Sequence, residues 1–269
     1  MTWITARRRH PLARYAVLLL ALAVFGIGYT AFAQFTRPAD AALAAGKLDD
    51  VAEGKSLFQA HCSSCHGLNA EGTQTGPTLV GVGAAAVDFQ VSSGRMPMAQ
   101  PGPQAPRKPT APWVNDETTR QLAAYVQSLG GGPQIPGNEQ VDPKLGNMAK
   151  GGELFRANCI QCHNFVGAGG ALTQGKHAPD LNQASDRQIY EAMITGPQAM
   201  PVFNDTTITP EEKRDMIAYI TGVREQKDPG GFGLGRIGPV TEGLVVWVVG
   251  ISIMALAAIW ITAKKRQKS

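Results

Sequence analysis

Cys62-Ser63-Ser64-Cys65-His66 and its later counterpart Cys159-Ile160-Gln161-Cys162-His163 share the pattern C-x-x-C-H. This pattern is the attachment signature of a c-type haem. Its two thiols can each bond one carbon of the same macrocycle, and the histidine that follows is then held under the ring to ligate the iron. The two motifs use all four cysteines of the chain. The sequence therefore predicts two covalently bound haems c, with His66 and His163 as iron ligands.

A C-x-x-C pair also occurs in redox dithiols, in zinc sites and in disulfides. A zinc ribbon would need its two pairs much closer together than Cys65 and Cys159 are. Neither zinc nor a disulfide requires a histidine directly after both pairs. Haem attachment is therefore the favoured interpretation of the two motifs.

The composition fits a small haem protein with membrane segments. The chain has 269 residues, which gives room for about two small domains. Its hydrophobic content is 43% and its charged content 17%, as in a globular protein with membrane segments. The 31 glycines and 18 prolines indicate long loops. Long loops suit small haem domains, because the cofactor supplies much of their core.

The N-terminus is basic and leads into an apolar run. Residues 1–14 contain four arginines, and residues 15–36 contain no charged residue over 22 positions. About 20 apolar residues suffice to cross a bilayer as a helix. A cleaved signal peptide is the alternative, since Ala31-Phe32-Ala33 matches an A-x-A cleavage site. The run exceeds the usual signal core of about 7–15 residues, so a retained transmembrane helix is expected over 15–36.

The C-terminus has a second such segment. Residues 243–263 are 21 uncharged residues, and the tail 264–269 that follows is basic. The positive-inside rule then places both termini in the cytoplasm and residues 37–242 on the extracytoplasmic side of the cell membrane. A buried core helix is the alternative for 243–263, but no polar stripe interrupts the segment. The sequence thus predicts a multi-pass membrane protein.

The charge is divided unevenly along the chain. Residues 37–242 hold 17 of the 25 basic residues and all 21 acidic ones, so this region has a formal charge of −4. The formal +4 of the whole chain is consequently no sign of nucleic-acid binding. A mildly acidic redox region suits docking to a basic partner surface, and a merely solvated surface explains it equally simply.

The chain repeats itself between the apolar segments. Gly54-Lys55-Ser56-Leu57-Phe58 precedes the first motif, and Gly151-Gly152-Glu153-Leu154-Phe155 precedes the second at a constant offset of 97. Leu57, Phe58 and Cys62 follow helical spacing. We therefore expect a short helix with one face toward the haem. A glycine on that helix would allow another helix to approach closely.

An amphipathic helix is predicted at the end of each repeat, over residues 116–129 and 210–223. The expected N-caps are Asp116 and Thr209, with Glu212 completing a capping box and Pro210 at the first helical position. Two glycines stand where these helices are expected to end, Gly130 and Gly222. Similar helices at similar places indicate duplication of one domain.

These features divide the chain into segments. We expect a first domain over 37–130, a linker over 131–146, a second domain over 147–224 and a linker over 225–242. Six prolines fall within residues 97–112. That stretch is expected to wrap the edge of a haem without regular structure.

Each repeat resembles a small, mainly helical, single-haem cytochrome c domain. In that family the first and last helices cross over the haem, and a proline after the haem histidine offers its carbonyl to that histidine. Gly76-Pro77-Thr78-Leu79 and Ala178-Pro179-Asp180-Leu181 match this element. The resemblance pairs Pro77 with His66 and Pro179 with His163. A hydrogen bond from Nδ1–H fixes the tautomer and leaves Nε2 for iron.

The same resemblance implies methionine as the sixth iron ligand. Met96 and Met200 are each followed by proline, as in the Met-Pro pairs of the family. Met98 competes with Met96 for the first iron. His61 and His177 are alternative ligands, although a surface position or contact with a haem propionate is favoured for each. Thioether ligation raises the haem potential relative to two imidazoles.

The whole layout resembles the dihaem cytochrome c subunits of the actinobacterial menaquinol–cytochrome c reductase, the cytochrome bcc complex. Its most specific parts are Gly151-Gly152-Glu153-Leu154-Phe155-Arg156, His163-Asn164-Phe165 and Pro229-Gly230-Gly231. The resemblance implies a mainly α fold with two tandem small cytochrome c domains, packed around their haems, between two transmembrane helices.

This family implies electron transfer as a subunit of a translocating quinol–cytochrome c reductase, with no substrate chemistry of its own. The implied partners are cytochrome b, the Rieske iron–sulfur protein as donor, and the copper-containing subunit of a cytochrome c oxidase as acceptor. We expect the first domain to accept the electron and the second to deliver it. The alternatives are a dihaem subunit of another respiratory oxidase or dehydrogenase, and a dihaem peroxidase. A peroxidase needs an open iron position, which two Met-Pro pairs argue against; a haem-based sensor would need an output domain, which the sequence does not contain.

Overall fold

The computed structural model of the chain describes residues 13–36, 38–226 and 239–266. Three sequence features lie wholly or partly outside the described residues. They are the basic N-terminal residues 1–12, the stretch 227–238 with Pro229-Gly230-Gly231, and the last residues of the basic tail, 267–269.

The architecture is mainly α, as the sequence predicted. The helices are α1 Ala13–Thr36, α2 Pro38–His61, α3 Ser63–His66, α4 Ala84–Ser92, α5 Asp116–Ser128, α6 Asn138–Val141, α7 Met148–Asn158, α8 Ile160–His163, α9 Asp186–Thr195, α10 Pro210–Glu225 and α11 Pro239–Arg266. Single 3-10 turns cover Pro143–Leu145, Thr173–Gly175 and Leu181–Gln183. The strands β1 Gly170–Ala171 and β2 His177–Ala178 form a short antiparallel pair.

Helices α2 and α5 cross in the first domain. The rings of Phe58 and Tyr125 lie 5.3 Å apart between them. A side chain at Gly54 would collide with the backbone carbonyl of Gln121, so glycine is what lets the two helices approach. The buried apolar cluster around this crossing consists of Phe58, Ala70, Val91, Leu122, Tyr125 and Val126.

Helices α7 and α10 repeat this crossing in the second domain. The rings of Phe155 and Tyr219 are again 5.3 Å apart, and Gly151 lies against the backbone carbonyl of Asp215. The buried cluster here consists of Phe155, Ile189, Tyr190, Met193, Ile208, Met216, Ile217 and Ile220. The two domains thus use one packing scheme, which agrees with duplication of a single unit.

The expectation of a short helix before the first motif was wrong. Helix α2 has 24 residues and begins at Pro38, much earlier than the repeat suggested. Alanine has the highest helix propensity, and the alanine-rich segment 41–45 extends the helix toward the N-terminus. Proline at the first helical position suits a helix start, because its missing N–H would have had no helical partner.

Two of the expected helix ends differ from the structure. Asn115, not Asp116, caps α5, since its side chain accepts a hydrogen bond from the backbone N–H of Thr118. Asp116 lies in the first turn, where the helix dipole favours a negative charge. Helix α10 continues through Gly222 to Glu225. Gly222 instead makes room for the side chain of Met148 on helix α7.

Thr209 caps α10 as expected. Its hydroxyl accepts a hydrogen bond from the backbone N–H of Glu212, and the Glu212 carboxylate accepts one from the backbone N–H of Thr209. Pro210 occupies the first helical position. This capping box satisfies N–H groups that a helix start otherwise leaves without partners.

The second half of residues 131–146 packs on the second domain. Arg214 donates a hydrogen bond to the carbonyl of Glu139 over 3.2 Å. Gln140 forms a 3.2 Å hydrogen bond with the hydroxyl of Tyr190. Helix α6 and the 3-10 turn after it therefore belong with the second domain's surface and are no free spacer.

The two domains contact each other through α4, α9 and the loop 97–112. Gln188 Nε2 donates to the Ser92 hydroxyl over 3.0 Å, and Gln188 Oε1 accepts from Arg107 over 3.0 Å. Gln198 donates to the carbonyl of Ala105 over 3.1 Å. The loop 97–112 has no helix or strand, as expected, but it reaches across the domain boundary.

Within the described residues, one helix is long and apolar enough to cross a membrane. It covers Gly243–Ala263 in α11, with a mean hydropathy of 2.6 and no part of it buried. The apolar part of α1 whose side chains are described, Tyr15–Gly28, is shorter. The predicted span over 15–36 therefore stays a prediction, as does the alternative of a signal peptide.

Candidate haem sites

The first C-x-x-C-H motif begins where α2 ends. The backbone N–H groups of Cys65 and His66 both bond to the carbonyl of Cys62, at 3.2 and 3.0 Å. Residues three and four positions apart lie on one face of a helical turn. The turn therefore presents both thiols and the imidazole to the same side.

The second motif has the same local geometry. Cys162 and His163 donate to the carbonyl of Cys159 over 3.2 and 2.9 Å. His163 is buried, and burial lowers its pKa although the Pro179 carbonyl opposes this shift. A lowered pKa keeps the imidazole neutral at neutral pH, which is the form that ligates a metal.

The thiols do not fit the alternative uses of a C-x-x-C pair. All four cysteines are free. Burial, with a smaller effect from the second thiol of each pair, raises the pKa of Cys62 to about 11 and that of Cys159 to about 12. A redox dithiol works through a lowered pKa. No group of three or more His, Cys, Asp and Glu side chains among the described residues could hold a metal ion such as zinc.

Each motif histidine is oriented by a proline carbonyl. His66 Nδ1 lies 2.7 Å from the carbonyl oxygen of Pro77, and His163 Nδ1 lies 3.1 Å from that of Pro179. A carbonyl only accepts hydrogen bonds, so Nδ1 donates and the lone pair of Nε2 is free for a metal. A Cβ at Gly76 would lie 2.5 Å from the Cys65 carbonyl, so glycine lets this segment return to the motif.

The methionines occupy different surroundings. Met96 packs against the buried cluster of the first domain, together with Cys62. Met98 is not part of that packing, and its methyl group faces the backbone position of Gly102. Met200 packs against the cluster of the second domain, as Cys159 does. Met96 and Met200 thus each pack against the same buried cluster as the first cysteine of their domain's motif, and Met98 does not.

A cavity of about 670 Å³ lies in the second domain. Cys159, Cys162, His163 and Met200 all line it. Apolar side chains form much of the remaining wall, among them Phe155, Ile189, Met193, Phe203, Met216 and Ile220. An apolar cavity with two thiols, an imidazole and a thioether on its wall fits a haem attached at the second motif.

The first domain also contributes to this cavity, and no pattern in the sequence indicated that contribution. Its lining includes Phe89, Arg95, Gln104, Pro106 and Arg107. Arg95 exposes 9% of its surface, donates to the Ala105 carbonyl over 2.9 Å and lies 5.4 Å from the centre of the Phe89 ring. Burial, and then the nearby charge of Arg107, lower the pKa of Arg95.

The alternative histidine ligands have other contacts. The His61 ring stacks on Trp113, with ring centres 4.1 Å apart and planes 9° from parallel. His177 is exposed in β2, and its backbone N–H and carbonyl are both bonded to the side chain of Gln104, over 3.1 and 2.6 Å. His177 also lines the cavity of the second domain.

Two family models match the chain, one on each domain. Residues 51–130 match "Cytochrome c", and residues 146–220 match "Cytochrome C oxidase, cbb3-type, subunit III". Cytochrome c domains carry covalently bound haem c. The binding of haem c and a role in electron transfer therefore follow for this chain.

Curated relatives cover nearly the whole chain. The cytochrome bc1 complex cytochrome c subunit of Corynebacterium efficiens is 43% identical over 278 residues, covering 96% of this chain and 92% of the relative. The subunit of the same name from Mycobacterium tuberculosis is 42% identical, covering 96% and 93%. The cbb3-type cytochrome c oxidase subunit FixP of Rhizobium meliloti is 36% identical over 93 residues, covering 30% and 28%. Because the match to the first two extends over both domains, the chain belongs to the actinobacterial family of cytochrome bc1 complex cytochrome c subunits.

Proposed function

We propose that this chain is a membrane-anchored dihaem cytochrome c. In this proposal it relays electrons from the Rieske iron–sulfur protein of a menaquinol-oxidising cytochrome bcc complex to a cytochrome c oxidase. The observation that carries the proposal is the doubled site. Each domain brings a C-x-x-C-H turn, a proline carbonyl on the motif histidine and a packed methionine together.

Each domain would hold its haem with residues in equivalent roles. Cys62 and Cys65 bind the first haem covalently, with His66 and Met96 as iron ligands. Cys159 and Cys162 bind the second, with His163 and Met200 as iron ligands. Pro77 and Pro179 orient the two histidines through their carbonyls. When bound, the haem supplies a reversible one-electron change at iron.

The protein residues tune this change and confine it. A thioether ligand favours the reduced iron, so both haems would have high reduction potentials. Such potentials would place them near the oxidising end of the respiratory chain. The buried clusters around Phe58 and Phe155 pack against Cys62 and Cys159, the first cysteine of each motif. With both ligand positions filled, neither iron would offer an open position for peroxide.

The relay between the sites is supported by the packing of the domains. Met96, the proposed ligand of the first iron, directly follows Arg95, which lines the cavity of the second domain. A route between the two haems would therefore run through adjacent residues. We propose that the first domain accepts the electron and that the second delivers it.

Anchoring would confine both domains beside their partners. An anchor at each end, with both termini in the cytoplasm, would hold the haem domains on the extracytoplasmic side and raise the effective concentration of donor and acceptor. The names of the relatives support cytochrome b and the Rieske protein as partners. The match to a cbb3-type oxidase subunit supports association with an oxidase. The copper-containing subunit of that oxidase is the acceptor in this proposal.

Extraction of the native protein in a mild detergent tests the partners. We expect cytochrome b, the Rieske protein and oxidase subunits to co-purify with the chain. Co-purification with a different dehydrogenase, without cytochrome b, would favour the alternative of another respiratory dihaem subunit. Binding of carbon monoxide to the protein as isolated would indicate an open iron position and redirect the assignment toward a peroxidase.

A Met200→His variant tests the relay. Replacing the thioether with an imidazole would lower the potential of the second haem. Quinol-driven oxygen consumption should then fall, because the electron would be held back before the oxidase. Normal turnover with a demonstrably lowered potential would show that the second haem is not on the route.

A further inference from the structure

Two arginines of the first domain lie at the cavity of the second. Arg95 follows α4, and Arg107 lies in the proline-rich loop 97–112. Both line the cavity that Cys159 and His163 also line. The second domain's site is thus walled in part by cationic side chains from a domain that has its own C-x-x-C-H motif.

Neither arginine has an anionic partner among the described residues. The salt bridges of this part of the chain involve Arg120, Lys150 and Lys213, and neither Arg95 nor Arg107 takes part in one. Arg95 is buried, and its Nε lacks a hydrogen-bond partner. A buried cation is costly unless it is paired, and a second cation beside it raises that cost. The arrangement therefore favours an anionic group bound beside these two guanidinium groups.

The carboxylate that also lines this cavity, Asp180, forms no ion pair with either arginine. Asp180 Oδ1 accepts hydrogen bonds from the backbone N–H and the side-chain amide of Asn182, both over 2.8 Å. The cations and the cavity wall are fixed in place by neutral contacts. Arg107 donates to Gln188, Gln198 donates to the Ala105 carbonyl, and Gln104 binds the backbone of His177. Both guanidinium groups thus lie at the boundary between the two domains, and each has N–H donors that these contacts do not use.

We propose that Arg95 and Arg107 bind the propionates of the haem attached at Cys159 and Cys162. This inference rests on the proposed attachment of a second haem. A haem carries two carboxylates at one edge, and guanidinium groups are well suited to pair with carboxylates. The second haem site is then complete only when the first domain is docked on it, and the two arginines act as positioning residues.

The proposal is tested by redox titration of the purified full-length protein, which resolves two haem components. The component that moves in the Met200→His variant is the second haem. Arg107→Gln is the main variant, since Arg107 is exposed and its replacement leaves the cores intact. Loss of a positive charge beside the haem stabilises the oxidised iron. We expect the midpoint potential of the second component to fall and that of the first to stay unchanged.

Two further variants separate pairing from a general effect of charge. Arg107→Lys keeps the charge and should restore most of the potential. Lys108→Gln removes one positive charge at the next residue of the same loop, which does not line the cavity, and should leave the second component near its original value. Arg95→Gln should lower the second component as Arg107→Gln does.

Three results would overturn the assignment. The first is that the midpoint potential of the second haem stays unchanged in both Arg95→Gln and Arg107→Gln. The second is that only the potential of the first haem changes in these two variants. The third is that Lys108→Gln shifts the potential of the second haem as much as Arg107→Gln does. A protein that contains two haems and supports turnover, but whose arginine variants leave the potentials unchanged, would refute this inference and leave the proposed function standing. A protein with a single haem would refute the proposed function itself.

Discussion

The backbone carbonyl of Asp215 lies directly against the α carbon of Gly151, where helices α7 and α10 cross. Gly54 and the carbonyl of Gln121 have the same relationship in the first domain. Each crossing supports a helix that ends next to a C-x-x-C-H turn. The glycines therefore determine how closely the two helices of each domain pack, and with that the position of the attachment site.

Gly151→Ala should destabilise the second domain. The added methyl group would meet backbone atoms, which cannot rotate away, and overpacking of this kind costs about 1–3 kcal/mol. Gly152→Ala is the matched control, because its methyl group would meet the side chain of Tyr219 and both changes gain the same helix propensity. Denaturant unfolding followed by haem absorbance measures both variants. Equal midpoints for the two would contradict the account of the crossing.

Replacing Cys159 and Cys162 together with alanine should halve the covalently bound haem. Each pair serves one macrocycle, so the first site should still be filled. Haem per chain is measured by the absorbance of the pyridine complex after acid–acetone extraction of unbound haem. A wild-type value of one haem per chain would contradict the prediction of two sites.

Met96→Leu and Met98→Leu should differ in their effect on the first haem. Met96 packs against the same buried cluster as Cys62, whereas Met98 lies toward Gly102. Loss of Met96 should therefore abolish the long-wavelength thioether–iron absorption of one oxidised haem and lower its potential, and loss of Met98 should change neither. The reverse result would make Met98 the ligand.

Glu191 should make stability depend on pH. Both of its carboxylate oxygens are buried, and the carboxyl of Asp88 is near them. Burial, with the carboxyl of Asp88 as the next cause and Arg187 in opposition, raises the pKa of Glu191 to about 10 from 4.5. Between these values the unfolded chain loses a proton that the folded chain keeps. The free energy of unfolding should therefore fall as pH rises, by up to about 1.4 kcal/mol per pH unit.

Glu191→Gln tests this, because the amide mimics the protonated carboxyl. The variant should match the stability of the wild type at about pH 5 and exceed it at about pH 8, since only the wild type must keep a carboxyl protonated. Denaturant unfolding at several pH values measures the difference. A constant difference across this range would show that Glu191 ionises normally in the folded protein.

The sequence predicted the parts of each site that are close together in the chain. The helical turn from Cys62 to His66 and the Thr209 cap depend on neighbouring residues, so their spacing was sufficient. The Pro77 carbonyl was inferred from the family resemblance, and it lies 2.7 Å from His66 Nδ1.

Other features depend on contacts between distant residues. Gly222 was expected to end a helix because glycine often does, but its role is to accommodate Met148. The position of Arg107 at the second cavity depends on how the two domains dock, and no local pattern carries that information. Asn115 rather than Asp116 is the cap, and both residue types favour that position, so the sequence alone could not separate them.

The succession of Arg95 and Met96 has a consequence for electron traffic. One residue lines the second cavity and the next packs against the buried cluster of the first domain, so a single peptide bond joins the two proposed haem sites. An electron on one haem would add negative charge near the other and would make its reduction less favourable. Reduction of both haems at once is therefore disfavoured, and we expect the protein to carry one electron at a time.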